Sequence, residues 1–318
     1  MTTPIIIDCD PGHDDAIALL MAIASPKIDL LAVTAVAGNA PVADTARNAR
    51  AVLTAAGVTD IPVAAGMDRP LMRRLVTAPH VHGDNGLGGT NPPAPAFDLD
   101  PRHAVDLLID TITGSDEPVT LVPTGPLTNI ATMIRMAPEV CRRIPRMILM
   151  GGSAGLGNVT PSAEFNIYVD PDAAEIVFSS GIPITMVGLD VTHRATFTAE
   201  DTARVRALNS DIGNFVADML AFYGKADRVV GGIPLHDPCC VAAIIEPDLI
   251  TTQPMNVQVE TKSELTIGRT VCDVLGVTGQ PPTAEVGVDI DRERFVAIVM
   301  DCLERLSRPA AVMREGSH

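Results

Sequence analysis

Five short apolar runs, unbroken by polar alternation, constrain the fold of this 318-residue chain more than any other feature. They read, in order, PIIID, IDLLAVTAVAG, PVTLVPTG, RMILMGG and PITMVGLD. Continuous apolarity is typical of β-strands that are covered on both faces. Segments with helical periodicity lie between or after these runs, at residues 14–24, 41–56, 102–113, 126–136 and 171–180. This alternation predicts an α/β fold with a mainly parallel central sheet flanked by helices.

The last third of the chain has a different pattern. Residues 198–228 predict two helices in succession, and short strand-like pieces follow at 255–261, 269–274 and 284–290, before a last helix near 291–306. No linker or shift in composition separates these parts, so we expect a single domain over residues 1–314. Residues 315–318, Glu-Gly-Ser-His, resemble a tag remnant, so we do not count them as part of the domain. The proline- and glycine-rich stretch 66–100 predicts a long functional loop.

Composition narrows the class of partner. The formal net charge is -16 and Lys and Arg form no cluster, which disfavours nucleic acids and anionic membranes, since cationic surface supplies the affinity for both. The opening MTTPIII has no basic region, and no run of 18 apolar residues follows, so we expect a soluble, unexported protein. The six cysteines show no C-x-x-C spacing, which argues against zinc and disulfides and favours the cytoplasm.

Four aspartates, Asp8, Asp10, Asp14 and Asp15, crowd into the first predicted strand-to-helix turn, IIIDCDPGHDDAIA. Ligands of parallel α/β sheets bind at this edge, outside the carboxyl ends of the strands. Asp14 and Asp15 would also suit the first turn of the helix as caps and dipole partners, and that alternative stays open here. No Lys or Arg lies in the stretch. A hard divalent cation, Ca²⁺ or Mg²⁺, is therefore the expected counter-charge.

Further polar residues follow other predicted strands or open a helix downstream. They are Asn39, Thr124, Asn158, Glu164, Asn166, His236 and Asp237. Each has a local alternative, since an Asn after Gly is common in turns and an Asp before Pro is common as a helix cap. Together they would bring polar groups to successive carboxyl ends of one sheet.

Five motifs, in this order, closely resemble those of the inosine-uridine preferring nucleoside hydrolases across roughly residues 4–245. They are DCDPGHDDAIALLMAIASPKIDLLAVTAVAGN, HGDNGLGG, PTGPLTNIA, MGGSAGLGNVTPSAEFNIYVDP and GGIPLHDP. The resemblance implies a Ca²⁺ ion held by the carboxylates of Asp10, Asp15 and Asp237 and by the backbone carbonyl of Thr124. It leaves Asp8 outside the ligand set, and we interpret Asp8 as structural.

The resemblance also implies the reaction, which is hydrolysis of the N-glycosidic bond of ribonucleosides to ribose and free base, as in nucleoside salvage. Asp10 would take a proton from the attacking water, and His236 would be the general acid for the departing base. The matching ribose-binding positions are Asp14, Asn39, Asn158, Glu164 and Asn166.

Base recognition is assigned to three residues, of which His82 matches a histidine on the family's mobile base-covering loop. Phe165 and Tyr223 offer aromatic faces for stacking. His13 occupies a variable position of the signature, and we interpret it as structural. The opening DCDPGHDDAIA is most similar to pyrimidine-leaning members, and the resemblance implies a homotetramer or homodimer.

Two other function classes stay in view. The D-x-D pattern also occurs in haloacid-dehalogenase-like phosphotransferases, where Asp8 would be the nucleophile and Mg²⁺ the metal. That class needs a phosphate-binding lysine, whereas the three lysines, Lys27, Lys225 and Lys262, lie in no strand-end motif. The other alternative is a catalytically idle protein that binds nucleoside or ribose through calcium. Turnover of inosine or uridine separates it from a hydrolase.

Overall fold

The central feature of the fold is a β-sheet in which five of the eight strands come from the apolar runs. The computed structural model describes residues 2–226 and 231–308. Within them the strands are β1 Thr3–Cys9, β2 Ile28–Ala35, β3 Val63–Ala65, β4 Thr120–Pro123, β5 Met147–Met150, β6 Ile184–Val187, β7 Thr196–Phe197, β8 Ile233–Pro234, β9 Ile250–Met255, β10 Val257–Val259, β11 Thr270–Cys272 and β12 Ala284–Ile290.

The helices follow the strands in near alternation over the first half of the chain. They are α1 His13–Ala24, α2 Val42–Ala55, α3 Pro79–His82, α4 Ala104–Gly114, α5 Thr128–Met136, α6 Phe165–Val169, α7 Pro171–Phe178, α8 Leu189–Thr192, α9 Ala199–Ala207, α10 Asp211–Tyr223, α11 Pro238–Ile245 and α12 Arg292–Leu306. A 3-10 helix spans Pro138–Arg143. None of the described helices combines the length and apolarity that a membrane crossing requires.

The main sheet of the described residues has eight strands in the order β3-β2-β1-β4-β5-β6-β12-β9. Neighbouring strands are parallel from β3 through β12, and only the edge pair β12 and β9 is antiparallel. The expected α/β class, a mainly parallel sheet flanked by helices in a single domain, is confirmed.

The triple isoleucine of β1 explains why the apolar runs show no alternation. Ile5 and Ile7 belong to one hydrophobic core, with residues of α1, α2, α11 and α12. Ile6 points to the opposite face and belongs to a second core, with residues of α4, α5 and α7. All three isoleucines are fully buried, because successive side chains of a strand face opposite sides and both sides are covered here.

The structure differs from the sequence-based expectation at two edge strands. β3 has only three residues, and none of the five apolar runs predicts it. β9 begins upstream of the predicted piece 255–261, which contains only the last residue of β9 and all of β10. β9 escapes the apolar criterion because three of its four inner residues, Thr251, Gln253 and Pro254, are exposed. An edge strand tolerates proline, since one side of its backbone needs no partner. The two predicted helices of 198–228 are α9 and α10, and residues 227–230 and 315–318 lie outside the described residues.

Asp8, in the middle of the sheet, is a buried carboxylate with an incomplete set of partners. Its Oδ1 accepts hydrogen bonds from Thr34 Oγ1 at 2.6 Å and Asn129 Nδ2 at 2.8 Å. Its Oδ2 has no partner among the described residues. Burial raises the pKa of Asp8 from 3.8 to about 7, and the two hydrogen bonds oppose this rise only in part. The folded state therefore favours the protonated acid.

This raised pKa predicts a pH dependence of stability. The contribution of Asp8 to the free energy of unfolding is fully present below about pH 4 and is lost as the pH rises through about 7. The loss is on the order of 4 kcal/mol, since each pKa unit corresponds to about 1.4 kcal/mol. Asp8→Asn, which keeps both accepted hydrogen bonds without the charge, should lack this loss. Urea unfolding of both proteins in excess chelator, at pH 4.5 and 8, measures it, and identical pH dependence of the two would contradict the account.

Candidate active site

A cavity of about 210 Å³ opens at the carboxyl ends of the parallel strands, where ligands of such sheets bind. Eleven of the thirteen site residues that the sequence predicts line it, namely Asp14, Asn39, His82, Thr124, Asn158, Glu164, Phe165, Asn166, Tyr223, His236 and Asp237. The other two, Asp10 and Asp15, are buried and line no part of the cavity surface. His80 and Met150 line the cavity as well, although the sequence assigns neither a role. The position of Met150 at the end of β5 is the signal that could have found it.

Three carboxylates form a compact group at this edge. Asp14, Asp15 and Asp237 each offer an oxygen within 4.8 Å of the others. This group contains Asp14 and not Asp10, which differs from the expected metal-ligand set. The Asp10 carboxylate is held by the backbone N–H of Asn39, which donates to its Oδ2 at 2.6 Å. Its Oδ1 has no hydrogen-bond partner in the described part of the chain.

Without a cation, burial and mutual repulsion disfavour the charged forms of the carboxylates at this edge. Burial raises the pKa of Asp237 well above its usual value, and the negative charges of Asp14, Asp15 and Asp10 raise it further. Burial and the Asp15 charge likewise raise the pKa of Asp10. The pKa of Asp15 is raised to about 7, although the Gly12 N–H and the Thr124 hydroxyl donate to it. No described lining residue is Lys or Arg, so the residues present fit a divalent cation as their counter-charge.

Two glycines form a close-fitting cradle for the Asp10 carboxylate. A Cβ on Gly38 would lie 2.0 Å from Asp10 Oδ2, and one on Gly125 would lie 2.6 Å from Oδ1. Gly38 follows β2 and Gly125 follows β4, the two strands that flank β1 in the sheet. Any side chain at either position would therefore displace Asp10.

Gly38→Ala tests the cradle. The sequence resemblance implies that Asp10 takes part in the hydrolysis of ribonucleosides. On that expectation kcat/KM should fall by at least about 10²-fold, because an ångström-scale displacement of a reacting group costs this much. Gly114→Ala is the matched control, since nothing lies within 4 Å of the methyl group it adds. Steady-state kinetics with thermal unfolding of both variants gives the answer. Wild-type activity of a folded Gly38→Ala protein would show that Asp10 need not be held in this place.

The side-chain amides of the cavity are oriented by fixed partners. Asn39 Nδ2 donates to the Asp10 carbonyl at 3.2 Å and to Asp15 Oδ2 at 3.4 Å. Asn166 Nδ2 donates to the carbonyls of Thr124 and Met150 at 2.8 and 3.2 Å. These bonds use the amide donors and leave each Oδ1 as the acceptor. The Thr124 carbonyl that accepts from Asn166 keeps a second lone pair, so it can also ligate a cation.

Asn158 and Glu164 are held in the loop between β5 and α6. Asn158 Oδ1 accepts from the Phe165 N–H at 3.0 Å, which leaves its Nδ2 group as the donor. Glu164 caps α6, where Oε1 accepts from the Asn166 N–H at 2.9 Å and Oε2 from the N–H groups of Gly152 and Ile167. Burial raises the pKa of Glu164, and these backbone donors oppose that rise. The carboxylate is thus a rigid wall of the cavity.

His82 and Tyr223 give the cavity an aromatic part of its lining. The rings of His82 and Tyr223 stack at 5.3 Å between centroids. His13 lies behind them, where its Nδ1 contacts His82 Nδ1 at 3.1 Å and its ring stacks on His82 at 5.3 Å. Phe222, which the sequence does not single out, also stacks on His13. The glycines of HGDNGLGG are its signal, since a Cβ on Gly88 or Gly89 would collide with the Phe222 ring.

His236 adds an imidazole to the lining of the cavity. It is buried and borders the cavity, next to Asp237 at the start of α11. Its Nδ1 contacts the hydroxyl of Thr192 on α8 at 2.7 Å, and the His193 ring meets it edge-on. The site therefore combines a carboxylate cluster, oriented amides and an imidazole around one cavity.

The comparisons with known proteins agree with this combination. Residues 5–297 match the family model of the inosine-uridine preferring nucleoside hydrolases, and the chain belongs to this family. A pyrimidine-specific ribonucleoside hydrolase, RihA of Escherichia coli O127:H6, is 50% identical over 308 residues, which are 96% of this chain and 99% of the relative.

Two solved structures share the fold. A purine-preferring ribonucleoside hydrolase from Gardnerella vaginalis superposes with a TM-score of 0.90 at 37% identity, covering 96% of this chain and 99% of its own. An inosine-uridine preferring nucleoside hydrolase from Bacillus anthracis, at 22% identity, has a TM-score of 0.81 over 96% of this chain and 100% of its own.

Membership of this family establishes the activity as hydrolysis of the N-glycosidic bond of ribonucleosides. The chain is an N-glycosyl hydrolase that acts on a ribonucleoside. The family is in general metal-dependent, and the cluster of Asp14, Asp15 and Asp237 could hold the metal ion. The phosphotransferase alternative fails on geometry too, because the carboxylate of Asp8 bonds Thr34 and Asn129 and does not border the cavity.

Proposed function

We propose that this chain is a calcium-dependent ribonucleoside hydrolase that favours pyrimidine nucleosides. The observation that carries the proposal is the convergence of buried carboxylates, oriented amides and His236 on one cavity. The pyrimidine preference is supported by the name of the relative that is 50% identical. The purine-preferring hydrolase is a more distant relative, at 37% identity.

The proposed calcium ligands are Asp10, Asp15, Asp237 and the Thr124 carbonyl, with Asp14 beside them. An all-oxygen set with several carboxylates suits Ca²⁺. The unpartnered Oδ1 of Asp10 and the close approach of Asp14, Asp15 and Asp237 support this assignment. When bound, the ion would neutralise these carboxylates and bind the 2′ and 3′ hydroxyls of the ribose.

The proposed ribose contacts are Asp14, Asn39, Asn158, Glu164 and Asn166. The oriented Oδ1 atoms of Asn39 and Asn166 can each accept a hydrogen bond from a sugar hydroxyl. The Nδ2 group of Asn158 can donate a hydrogen bond to another sugar hydroxyl. A site built to pair hydroxyls discriminates against substrates that lack them, because its own buried polar groups then stay unpaired.

Proton transfer is assigned to Asp10 and His236. Asp10 takes a proton from the water that attacks C1′. The bond between C1′ and the base nitrogen breaks as the new C1′–O bond forms, through a transition state with oxocarbenium character. The carboxylates around the cavity stabilise this positive charge. His236 gives a proton to the departing base.

Substrate preference is the direct test of the proposed function. We expect uridine and cytidine to be hydrolysed with a higher kcat/KM than inosine and adenosine, measured side by side with saturating Ca²⁺. Deoxyuridine is the matched control for the sugar contacts, and it should be poorer than uridine by roughly 10⁴-fold. Faster hydrolysis of inosine than of uridine would contradict the pyrimidine preference, and equal rates on uridine and deoxyuridine would contradict the ribose contacts.

The general-acid role of His236 is tested by a change of leaving group. His236→Ala should reduce hydrolysis of uridine by about 10²- to 10⁴-fold, the usual cost of a lost general acid. The same variant should cleave p-nitrophenyl riboside nearly as fast as the wild type, because p-nitrophenolate departs without protonation. Equal losses on both substrates would assign His236 to holding Asp237 or the substrate instead.

Base contacts are proposed for His82, Phe165 and Tyr223. His82 and Tyr223 form one stacked wall, and Phe165 borders the cavity beside Asn158. The flat face that such rings present suits a pyrimidine or purine ring. Residues 227–230, which follow Tyr223 in the sequence, lie outside the described residues.

Assembly and compartment complete the proposal. We propose a homodimer or homotetramer, supported by apolar side chains that are largely exposed in the single chain, among them Leu265, Leu275 and Val277. A cytoplasmic location is supported by the six cysteines, all of which are free thiols. Analytical ultracentrifugation of the full chain measures the assembly.

A further inference from the structure

Thr192 is a polar residue at the active site for which the proposed mechanism gives no role. It is the last residue of α8, it is fully buried, and it does not border the cavity. Its Oγ1 lies 2.7 Å from Nδ1 of His236, which is 44 positions away in the sequence. A buried hydroxyl at this distance from an imidazole nitrogen forms a hydrogen bond of full strength.

We propose that Thr192 is a positioning residue for the hydrolysis, which fixes the ring of His236 so that Nε2 faces the base that leaves. This inference rests on the proposed role of His236 as the general acid. The hydrogen bond to Thr192, which does not border the cavity, holds the Nδ1 side of the ring away from the cavity, and Nε2 lies across the ring from Nδ1. Because a hydroxyl can both donate and accept, it holds the ring in either tautomer.

The support behind Thr192 is itself rigid. The backbone N–H of Thr192 donates to the Gly188 carbonyl at 3.1 Å, and that of Leu189 donates to the Gly152 carbonyl at 2.9 Å. Asp190 Oδ2 accepts from the Ala154 N–H at 2.7 Å and from the Ser153 hydroxyl at 3.1 Å. The short helix α8 is thereby tied to the loop that carries Asn158 and Glu164. A ring held by this helix keeps its place relative to the sugar-binding groups.

The last side-chain torsion of a histidine has broad minima, so a hydrogen bond to one ring nitrogen narrows the orientation of the ring. The edge-on contact with His193, at 5.8 Å between centroids, limits the ring on one side. The Thr192 hydroxyl holds Nδ1 towards α8. Loss of the hydroxyl should therefore affect the step that needs the acid and leave substrate binding intact.

The test compares Thr192→Val, which removes the hydroxyl and keeps the shape, with Thr192→Ser, which keeps the hydroxyl. With saturating Ca²⁺, we expect Thr192→Val to lower kcat for uridine about tenfold, the factor that matches one hydrogen bond of ordinary strength. KM for uridine and the rate on p-nitrophenyl riboside should stay within about twofold of wild type, and Thr192→Ser should restore most of the loss.

Thr128→Val is the matched control. The Thr128 hydroxyl is also buried and donates to Asp170 at 2.7 Å, and Thr128 does not border the cavity. It should lower stability without changing the ratio of rates on the two substrates. An equal fall of both rates in Thr192→Val would show a general structural role and overturn the inference.

A double-mutant cycle with His236→Ala decides whether Thr192 acts through His236. If it does, Thr192→Val adds no further loss on uridine once His236 is absent, and a further tenfold loss would overturn the inference. Should Thr192→Val fold poorly, Thr192→Ala enters the same cycle. The proposed function fails separately, when His236→Ala alone keeps its rate on uridine or loses both substrates equally.

Discussion

The mutual repulsion of buried carboxylates at the end of β1 is the constraint on which the rest of the site depends. Asp10, Asp14, Asp15 and Asp237 converge there with no lysine or arginine among the described lining residues. Burial and like charge raise the pKa of Asp10 and Asp237 well above the ordinary range. Such an arrangement costs free energy in the metal-free chain, and a divalent cation offsets that cost.

The fold provides this concentration of charge by simple geometry. β1 lies inside the sheet with β2 and β4 on its two sides, so the residues that follow these three strands meet at one edge. Gly38 and Gly125 allow the neighbouring turns to close around Asp10. Asp237, which lies far downstream of the other three in the sequence, completes the group at the start of α11. The same edge then places amides, aromatic rings and His236 around the cavity.

The sequence predicts those strands and site residues that neighbouring residues in the chain determine. The run Ile5–Ile7 predicts a strand covered on both faces, because Ile5 and Ile7 need a core on one face and Ile6 needs a core on the other. β9 is missed because an edge strand with Pro254 carries no continuous apolar signal. The site follows the same division. The signature around Asp10 and the GGIPLHDP motif are visible in the sequence, whereas the partners Asn129, Thr192 and Phe222 come from distant segments, and only the folded chain brings them to Asp8, His236 and His13.

Calcium binding to the metal-free enzyme tests the central claim most directly. Isothermal titration calorimetry near pH 7, in two buffers of different ionisation enthalpy, should give one Ca²⁺ per chain with release of protons. Burial raises the pKa of Asp15 to about 7, and burial and neighbouring negative charges raise the pKa of Asp10 and Asp237 well above its usual value. Asp237→Asn should weaken binding by more than about 10²-fold, whereas Asp116→Asn, at an exposed loop position, should bind as the wild type does. Absence of Ca²⁺ binding to the wild type, or equal affinity in Asp237→Asn, would contradict the account.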